Sequence, residues 1–169
     1  GSAARLSSDY TVSGAEFFAN AASLERRTEP RAPWDAGRVS IENVSKVTLD
    51  GAFQTAPAAS PNREAGRSAE VDIAGARIAV VDRVGNPALA IEPDVLQIEG
   101  AALSRLNGSV LLGGKRTDTE DGIRITTSAT VVQVANSSAS AVTLPELILA
   151  ATDRIDVAAG SVLTGTGTA

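Results

Sequence analysis

Apolar and polar residues alternate in short runs along this chain, and the runs come in pairs. Each pair consists of two apolar residues one position apart, a polar bend, and two more apolar residues at the same spacing. Alternation with a period of two residues is typical of β-strands with one buried face. Five such units predict the structural core: Val39, Ile41, Val47 and Leu49; Val71, Ile73, Ile78 and Val80; Leu89, Ile91, Leu96 and Ile98; Ile123, Ile125, Val132 and Val134; and Leu147, Leu149, Ile155 and Val157.

Corners of small residues follow three of these units. They read LDGAF at 49–53, IEGAAL at 98–103 and VAAGSV at 157–162, and glycine permits the sharp backbone angles that a corner needs. A unit of this kind cannot bury its apolar face alone, so it needs a neighbour on each side. The pattern therefore predicts an all-β fold, a β-solenoid of about seven coils. A β-sandwich is the alternative.

The repeats divide the chain into two parts. Residues 38–169 carry the predicted coils, and two loops leave them, one rich in proline, alanine and serine at 54–68 and one rich in charge at 111–122. Residues 1–37 form either first coils or a cap. Ser13 and Glu16 fit a helix capping box, whereas the stretch YTVSGAEFF fits a strand pair, which we favour.

The amino-acid composition indicates the kind of core and limits the kinds of partner. Only 3% of the 169 residues are aromatic, whereas 43% are apolar, which predicts a core of thin aliphatic layers. The net charge of −5 argues against a nucleic-acid partner. No apolar run is long enough to span a membrane. The Gly-Ser start and the lack of methionine indicate an internal piece of a longer protein.

Catalytic and metal-binding residues are scarce. The chain has no histidine and no cysteine, which excludes the common nucleophilic triads and the usual zinc sites. Tyr10 is the one remaining common haem ligand. Asp118, Glu120 and Asp121 match no calcium-loop spacing, and Asp153 and Asp156 flank a bend. We therefore expect no catalytic, cofactor-binding or metal site and no cofactor.

The segments GRVSIENVSKVTLDGAF, LQIEGAAL, SVLLGGKRTDT and LILAATDRIDVAAGSVLTGTG resemble the filamentous-haemagglutinin-like exoproteins of two-partner secretion. The resemblance covers about 38–167 and concerns repeat style. It implies a right-handed parallel β-helix with loop excursions, secreted to the bacterial cell surface and acting as a rigid shaft in adhesion or cell–cell contact. The implied partners are an outer-membrane export protein and a receptor or glycan on a host or neighbouring cell. The family's secretion signal and toxin-like terminal module are not recognisable here.

An enzyme is the alternative function, because parallel β-helices also include polysaccharide lyases and hydrolases. Its acidic and basic groups would be Asp72, Asp82, Glu92, Asp94, Glu99, Arg77 and Arg83. Sugar-binding grooves usually contain aromatic platforms, and Val71–Gly100 has none, so we expect no enzymatic activity. Three N-x-S triplets, at Asn43, Asn107 and Asn136, are interpreted as turn residues. An uncapped carboxyl end predicts end-to-end self-association.

Overall fold

The structure is a computed structural model, and it describes residues 36–42, 49, 56, 66–85 and 95–167. By its internal contacts the chain divides into Gly1–Pro33 and Trp34–Ala169, and every described residue belongs to the second unit. The predictions for 1–35, and for most of the 54–68 loop, lie outside the described residues.

Short strands account for most of the regular structure in the described part of the chain. The strands are β1 (Arg38–Ile41), β2 (Glu70–Ile73), β3 (Arg77–Val81), β4 (Leu96–Glu99), β5 (Ser109–Leu112), β6 (Gly114–Thr119), β7 (Gly122–Thr127), β8 (Val131–Ala135), β9 (Val142–Leu144), β10 (Glu146–Leu149), β11 (Arg154–Val157) and β12 (Leu163–Gly165). One helix, α1 (Gly100–Ser104), follows β4, and a single 3₁₀ turn covers Ser138–Ser140.

Two parallel sheets of four strands form the body. The first has the order β1-β2-β5-β10 and the second β11-β8-β3-β4. Their registers place similar residues side by side: Val39, Val71, Val110 and Leu147 form one row across the first sheet. A third parallel pair joins β12 to β9, and β6 and β7 form an antiparallel hairpin.

The core is a single aliphatic cluster between these elements. Inward side chains of both four-stranded sheets pack with Val142 and Leu144 of β9 and with Ala102 and Leu103 of α1. Gly100 allows the helix to approach β9, because a Cβ at that position would lie 2.0 Å from the carbonyl oxygen of Ser140. A core with few aromatic residues is therefore enough for this fold, since valine, isoleucine and leucine side chains fill the narrow space between the sheets.

The prediction of a right-handed parallel β-helix of about seven coils is wrong. The described strands fall into four small sheets, none of which closes, and the β6–β7 sheet is antiparallel. In the second sheet, β4 follows β3 in the chain but lies on the side of β3 away from β8. In a solenoid, each new coil would add its strand on the same side of the sheet. The position of β4 breaks that order. Alternation reports which face of a strand is buried, and it carries no information on strand order.

The predicted core residues divide into four groups. Nine are buried in the structure: Leu49, Val71, Ile73, Ile78, Val80, Leu96, Ile98, Val132 and Val134. Three more, Ile41, Leu147 and Leu149, are partly buried and pack against this cluster. Val47, Leu89 and Ile91 lie outside the described residues.

Five further residues are exposed, and their predicted core position is wrong: Val39, Ile123, Ile125, Ile155 and Val157. Ile123 and Ile125 belong to the hairpin rather than to a coil. Val39, Ile155 and Val157 lie in the outermost strands of their sheets. A strand at the edge of a sheet has a neighbour on one side only, so its apolar side chains keep contact with water.

Replacing Ile98 with aspartate tests the core. Ile98 is 1% exposed, so Ile98→Asp would bury a carboxylate without a partner and lower the free energy of unfolding by roughly 3 kcal/mol or more. Urea denaturation followed by circular dichroism measures the change. Val157→Asp is the control, because Val157 is 57% exposed, and its effect should stay within about 0.5 kcal/mol. Equal losses in the two variants would contradict this core.

Candidate functional site

Gly113 holds both ends of the β6–β7 hairpin together where it joins the two four-stranded sheets, which we call the body. The N–H groups of Ser128 and Ala129 both donate to the Gly113 carbonyl oxygen, at 2.8 and 3.0 Å. Gly113 has a φ of +94°, and a Cβ there would lie 2.0 Å from the carbonyl oxygen of Ala150. The chain can therefore turn out of β5 only with glycine at this position.

A buried ion pair fastens the hairpin to the outer face of the first sheet. Asp72 of β2 is fully buried, and its Oδ2 accepts a hydrogen bond of 2.7 Å from the backbone N–H of Arg116 in β6. Its Oδ1 lies 3.6 Å from Arg116 Nε. The Arg116 guanidinium, also buried, donates to Ser109 Oγ at 2.9 Å and to the Ser109 carbonyl oxygen at 3.4 Å. The two opposite charges are thus compensated inside the protein.

A second group of charges surrounds this pair nearer the surface. Arg38 of β1 donates to Glu70 Oε2 at 2.6 Å and reaches Asp118 of the hairpin at 3.1–3.2 Å. Burial lowers the pKa of Arg38, but the hydrogen bonds and charges of Asp118 and Glu70 outweigh that effect and hold its pKa above the usual value. Ser109 Oγ in turn donates to Glu146 of β10. One connected set of groups therefore links all four strands of the first sheet to the hairpin.

Lys115 forms a separate, exposed contact at the same strand. Its Nζ lies 2.5 Å from Glu42 Oε1. The hydrogen bond from Lys115, followed by that from Ser40, lowers the pKa of Glu42 below its usual value. The contact therefore favours the folded state above the ordinary glutamate pKa, and it is lost as the pH falls through the lowered one.

The outer strand of the hairpin, β7, pairs on one side only among the described strands. Because the Arg116 N–H donates to Asp72, the opposing pair Arg116–Ile125 shares no backbone hydrogen bonds. Alternation in an antiparallel ladder then directs the N–H and C=O groups of Ile123 and Ile125 away from β6. Their side chains are 48% and 40% exposed. The hairpin thus presents two exposed apolar side chains and backbone groups that point away from β6, an arrangement that suits recognition of an extended chain or an apolar surface.

The acidic residues predicted as a solvated loop lie at the tip of this hairpin. Asp118 pairs with Arg38, and Glu120 and Asp121 form the exposed turn, closed by a 2.8 Å hydrogen bond from Thr119 Oγ1 to the Gly122 carbonyl oxygen. Within the described residues, no group of three or more acidic side chains is arranged to hold a metal ion.

The residues of the enzymatic alternative are not brought together. Asp82 accepts hydrogen bonds from Ser137, from N at 2.6 Å and from Oγ at 2.7 Å, and Glu99 accepts one of 3.3 Å from Val84 N. Asp72 lies under the hairpin on the other sheet. Glu92 and Asp94 lie outside the described residues, and Arg83 is exposed.

A shallow groove of about 100 Å³ lies on the second sheet. Arg77, Gln133, Arg154 and Asp156 contribute its polar lining. Arg154 and Asp156 are paired across 2.5 Å, so these two charges of the lining already compensate each other. Asp153, at the preceding bend, is exposed, as a polar bend residue should be.

Two of the three N-x-S asparagines are described. Asn107 is exposed and has a φ of +42°, a turn conformation that asparagine adopts more readily than most residues. Asn136 is buried, and its Nδ2 donates to the carbonyl oxygens of Ser140 and Val162, each at 2.9 Å. A glycan on that nitrogen would replace one of its two N–H hydrogens, so at least one of these bonds would be lost. Asn43 lies outside the described residues.

Sequence reasoning missed the role of Arg116 and Ser109. The available signal was the pair Glu70 and Asp72 at alternate positions of one strand, which places two carboxylates on the same outward face. Such a face is usually solvated, so nothing in the pattern indicated that an arginine 44 residues away along the chain would cover it.

Comparison with known proteins gives no similarity to build on. No family model matches the chain, and neither a curated protein nor a solved structure matches it. None of the helices in the described ranges has the length and apolar character needed to cross a membrane.

Replacing one partner of the Asp72–Arg116 pair should lower the free energy of unfolding more than replacing both partners with apolar residues. Asp72→Leu leaves the buried Arg116 guanidinium with Glu70 Oε1, 4.0 Å from its Nη1, as its nearby anion, and should lower the free energy of unfolding by about 3–5 kcal/mol. Asp72→Leu combined with Arg116→Met should cost much less. Urea denaturation of both single variants and the double variant gives the coupling energy. Lys115→Ala, which removes an exposed pair, is the control and should lower the free energy of unfolding far less than loss of either buried partner. Additive effects at Asp72 and Arg116 would contradict the pair.

The Lys115–Glu42 contact can be tested by titration. In nuclear magnetic resonance spectra recorded against pH, Glu42 should titrate below the ordinary glutamate range because Lys115 stabilises its charged form. In Lys115→Gln the Glu42 pKa should rise toward the ordinary value. The parent protein, titrated under the same conditions, is the reference. An unchanged Glu42 pKa in the variant would show that the contact does not form in solution.

Proposed function

We propose that this chain is a structural and adhesive segment of a large secreted bacterial surface protein. In this role the aliphatic body supports the β6–β7 hairpin, and the hairpin contacts a receptor or glycan on a host or neighbouring cell. One observation carries the proposal: the inner strand of the hairpin is anchored by the buried Asp72–Arg116 pair, while the outer strand exposes Ile123 and Ile125.

The anchoring supports a binding role because it orders the hairpin in advance. An isolated two-stranded hairpin is marginally stable in water. Here the Gly113 stem, the buried pair and the Arg38–Asp118 contact restrain it at three points. A contact surface that is already ordered loses less conformational entropy when it binds. The exposed apolar side chains at the end of such an element are therefore suited to contact rather than to packing within this chain.

Secretion and surface location rest on the resemblance to filamentous-haemagglutinin-like exoproteins, as does the outer-membrane export partner. A structural role is further supported by the use of the charged residues. Asp72, Asp82 and Glu99 each accept hydrogen bonds from the protein's own backbone or side chains. No specific observation favours the polysaccharide-cleaving alternative.

A bead-adhesion assay tests this function. Fluorescent beads coated with the chain are added to a monolayer of cultured epithelial cells, and bound beads are counted beside albumin-coated beads. We expect the parent to bind several-fold above albumin, and the Ile123→Ser/Ile125→Ser variant to lose most of that excess. Both side chains are already half in water, so the variant should stay folded, which its thermal melt verifies.

Val84→Ser is the matched control, because Val84 is a similarly exposed apolar residue outside the hairpin. It should bind as the parent does. Parent beads that bind no better than albumin would overturn the adhesive role on these cells. Loss of binding in the control alone would move the contact away from the hairpin.

A further inference from the structure

Asn107 and Gly108 form the turn that leads from α1 into β5. Asn107 is exposed and its side chain makes no hydrogen bond with any described residue, whereas Gly108 is buried. The N–H of Asn107 donates to Ser104 O at 3.2 Å, and the N–H of Ser109 donates to Ala69 O at 2.9 Å. The N–H of Gly108, between them, has no such partner in the described ranges. A free side-chain amide therefore directly precedes a free backbone N–H.

The fold requires both residue types at this turn. Asn107 has a φ of +42°, a left-handed conformation that asparagine adopts more readily than most residues with a side chain. A Cβ on Gly108 would lie 2.2 Å from the Ala69 carbonyl oxygen, so no larger residue fits there. Among the six asparagines of the sequence, Asn107 is the one that glycine follows. The Asn-Gly pair is thus a structural requirement of the turn.

An asparagine before glycine is prone to cyclise, because glycine has no Cβ to obstruct attack by its own backbone nitrogen. Here the Gly108 nitrogen would attack Asn107 Cγ and close a succinimide ring. The Cγ–Nδ2 bond breaks, and Nδ2 leaves as ammonia with the proton of the Gly108 amide. Water then opens the ring. Opening at the new N–Cγ bond gives aspartate, and opening at the bond to the Asn107 backbone carbonyl carbon gives isoaspartate.

Asn136 shows the opposite situation in the same chain. It is buried, and its Nδ2 donates to the carbonyl oxygens of Ser140 and Val162. The backbone nitrogen that would attack its Cγ belongs to Ser137 and already donates to Asp82 Oδ1 at 2.6 Å. Cyclisation at Asn136 would have to break all three hydrogen bonds, whereas at Asn107 neither reacting group has a bond to lose.

We propose that Asn107 is a site of spontaneous deamidation in the folded protein, and that its isoaspartate product loosens the start of β5. Isoaspartate lengthens the backbone by one carbon just before Gly108. The next residue, Ser109, begins the pairing of β5 with β2, accepts a hydrogen bond from Arg116 and donates one to Glu146. The modification therefore acts where the hairpin is fastened to the first sheet. The proposal does not depend on the adhesive role of the hairpin.

Peptide mapping by mass spectrometry tests the modification. The folded protein is kept at physiological temperature in mildly alkaline buffer, and a second sample is kept in urea as the unfolded reference. In the folded sample Asn107 should gain one mass unit, and most of it should convert before Asn136 changes detectably. Carboxyl methylation by an isoaspartate-specific methyltransferase identifies the isoaspartate fraction. If Asn107 keeps its amide in the folded sample but loses it in urea, the proposal is overturned.

Asn107→Gly is the matched variant, because glycine retains the left-handed conformation and removes the amide. It should fold as the parent does and show no conversion at position 107. The isoaspartate form of the aged parent is separated by anion exchange, and its amide signals are recorded by nuclear magnetic resonance. Those of Ser109 and Arg116 should shift, whereas aged Asn107→Gly should give the spectrum of its fresh sample. Unchanged Ser109 and Arg116 signals in the isoaspartate form would contradict the proposed effect on β5. Because conversion is read by mass and not by binding, its failure is distinct from failure of bead adhesion.

Discussion

Asp72 carries its charge on the outer face of a parallel sheet, in a place that water does not reach. A carboxylate in that position requires a cation and hydrogen-bond donors nearby. Arg116 supplies both, with its side chain and with its backbone N–H. Because Arg116 belongs to β6, this requirement fixes where the hairpin lies, which of its strands faces the body and which backbone groups of β7 point away from β6.

The same interaction separates two kinds of surface. Beneath the hairpin, opposite charges are matched and removed from solvent. On its outer strand and at the ends of the sheets, apolar side chains such as Ile123 and Val157 are left partly exposed. The interior thus contains the costly charged groups in compensated form, while the groups suited to association lie outside. This distribution favours a molecule that holds and presents contacts over one that binds a small substrate in a cavity.

The sequence predicted the strands better than their arrangement. Alternation located the buried faces of β2, β3, β4 and β8, because burial on one face is a local property that each strand records in its own residues. It could not show that β4 pairs with β3 on the side away from β8, since pairing order depends on contacts between distant segments. For the same reason the pattern predicts Ile123 and Ile125 in a coil, whereas they lie in the hairpin. Strands of an antiparallel hairpin and of a parallel sheet both alternate with a period of two residues.

The candidate site was harder to predict for a related reason. The charges within 111–122 predict a loop that leaves the body, and the hairpin does begin there at Gly114. The predicted start of the loop is wrong, because Leu111 and Leu112 are buried residues of β5. Its continuation through Thr127 was not recognised, since the apolar residues of β7 resemble a core strand. Arg116 resembled any solvated cation, and only the fold brings it to Asp72.

The closure of the hairpin stem at Gly113 has a consequence for variation. The chain departs after β5 and rejoins the body at Ser128 and Ala129, and both returning N–H groups bond to the carbonyl from which the excursion began. Residues beyond the Arg38–Asp118 contact can therefore be lengthened, shortened or exchanged without shifting the strands on either side. The tip can therefore vary in length and sequence independently of the body, and under the proposed adhesive role such variation would change the contact surface while the body stays the same.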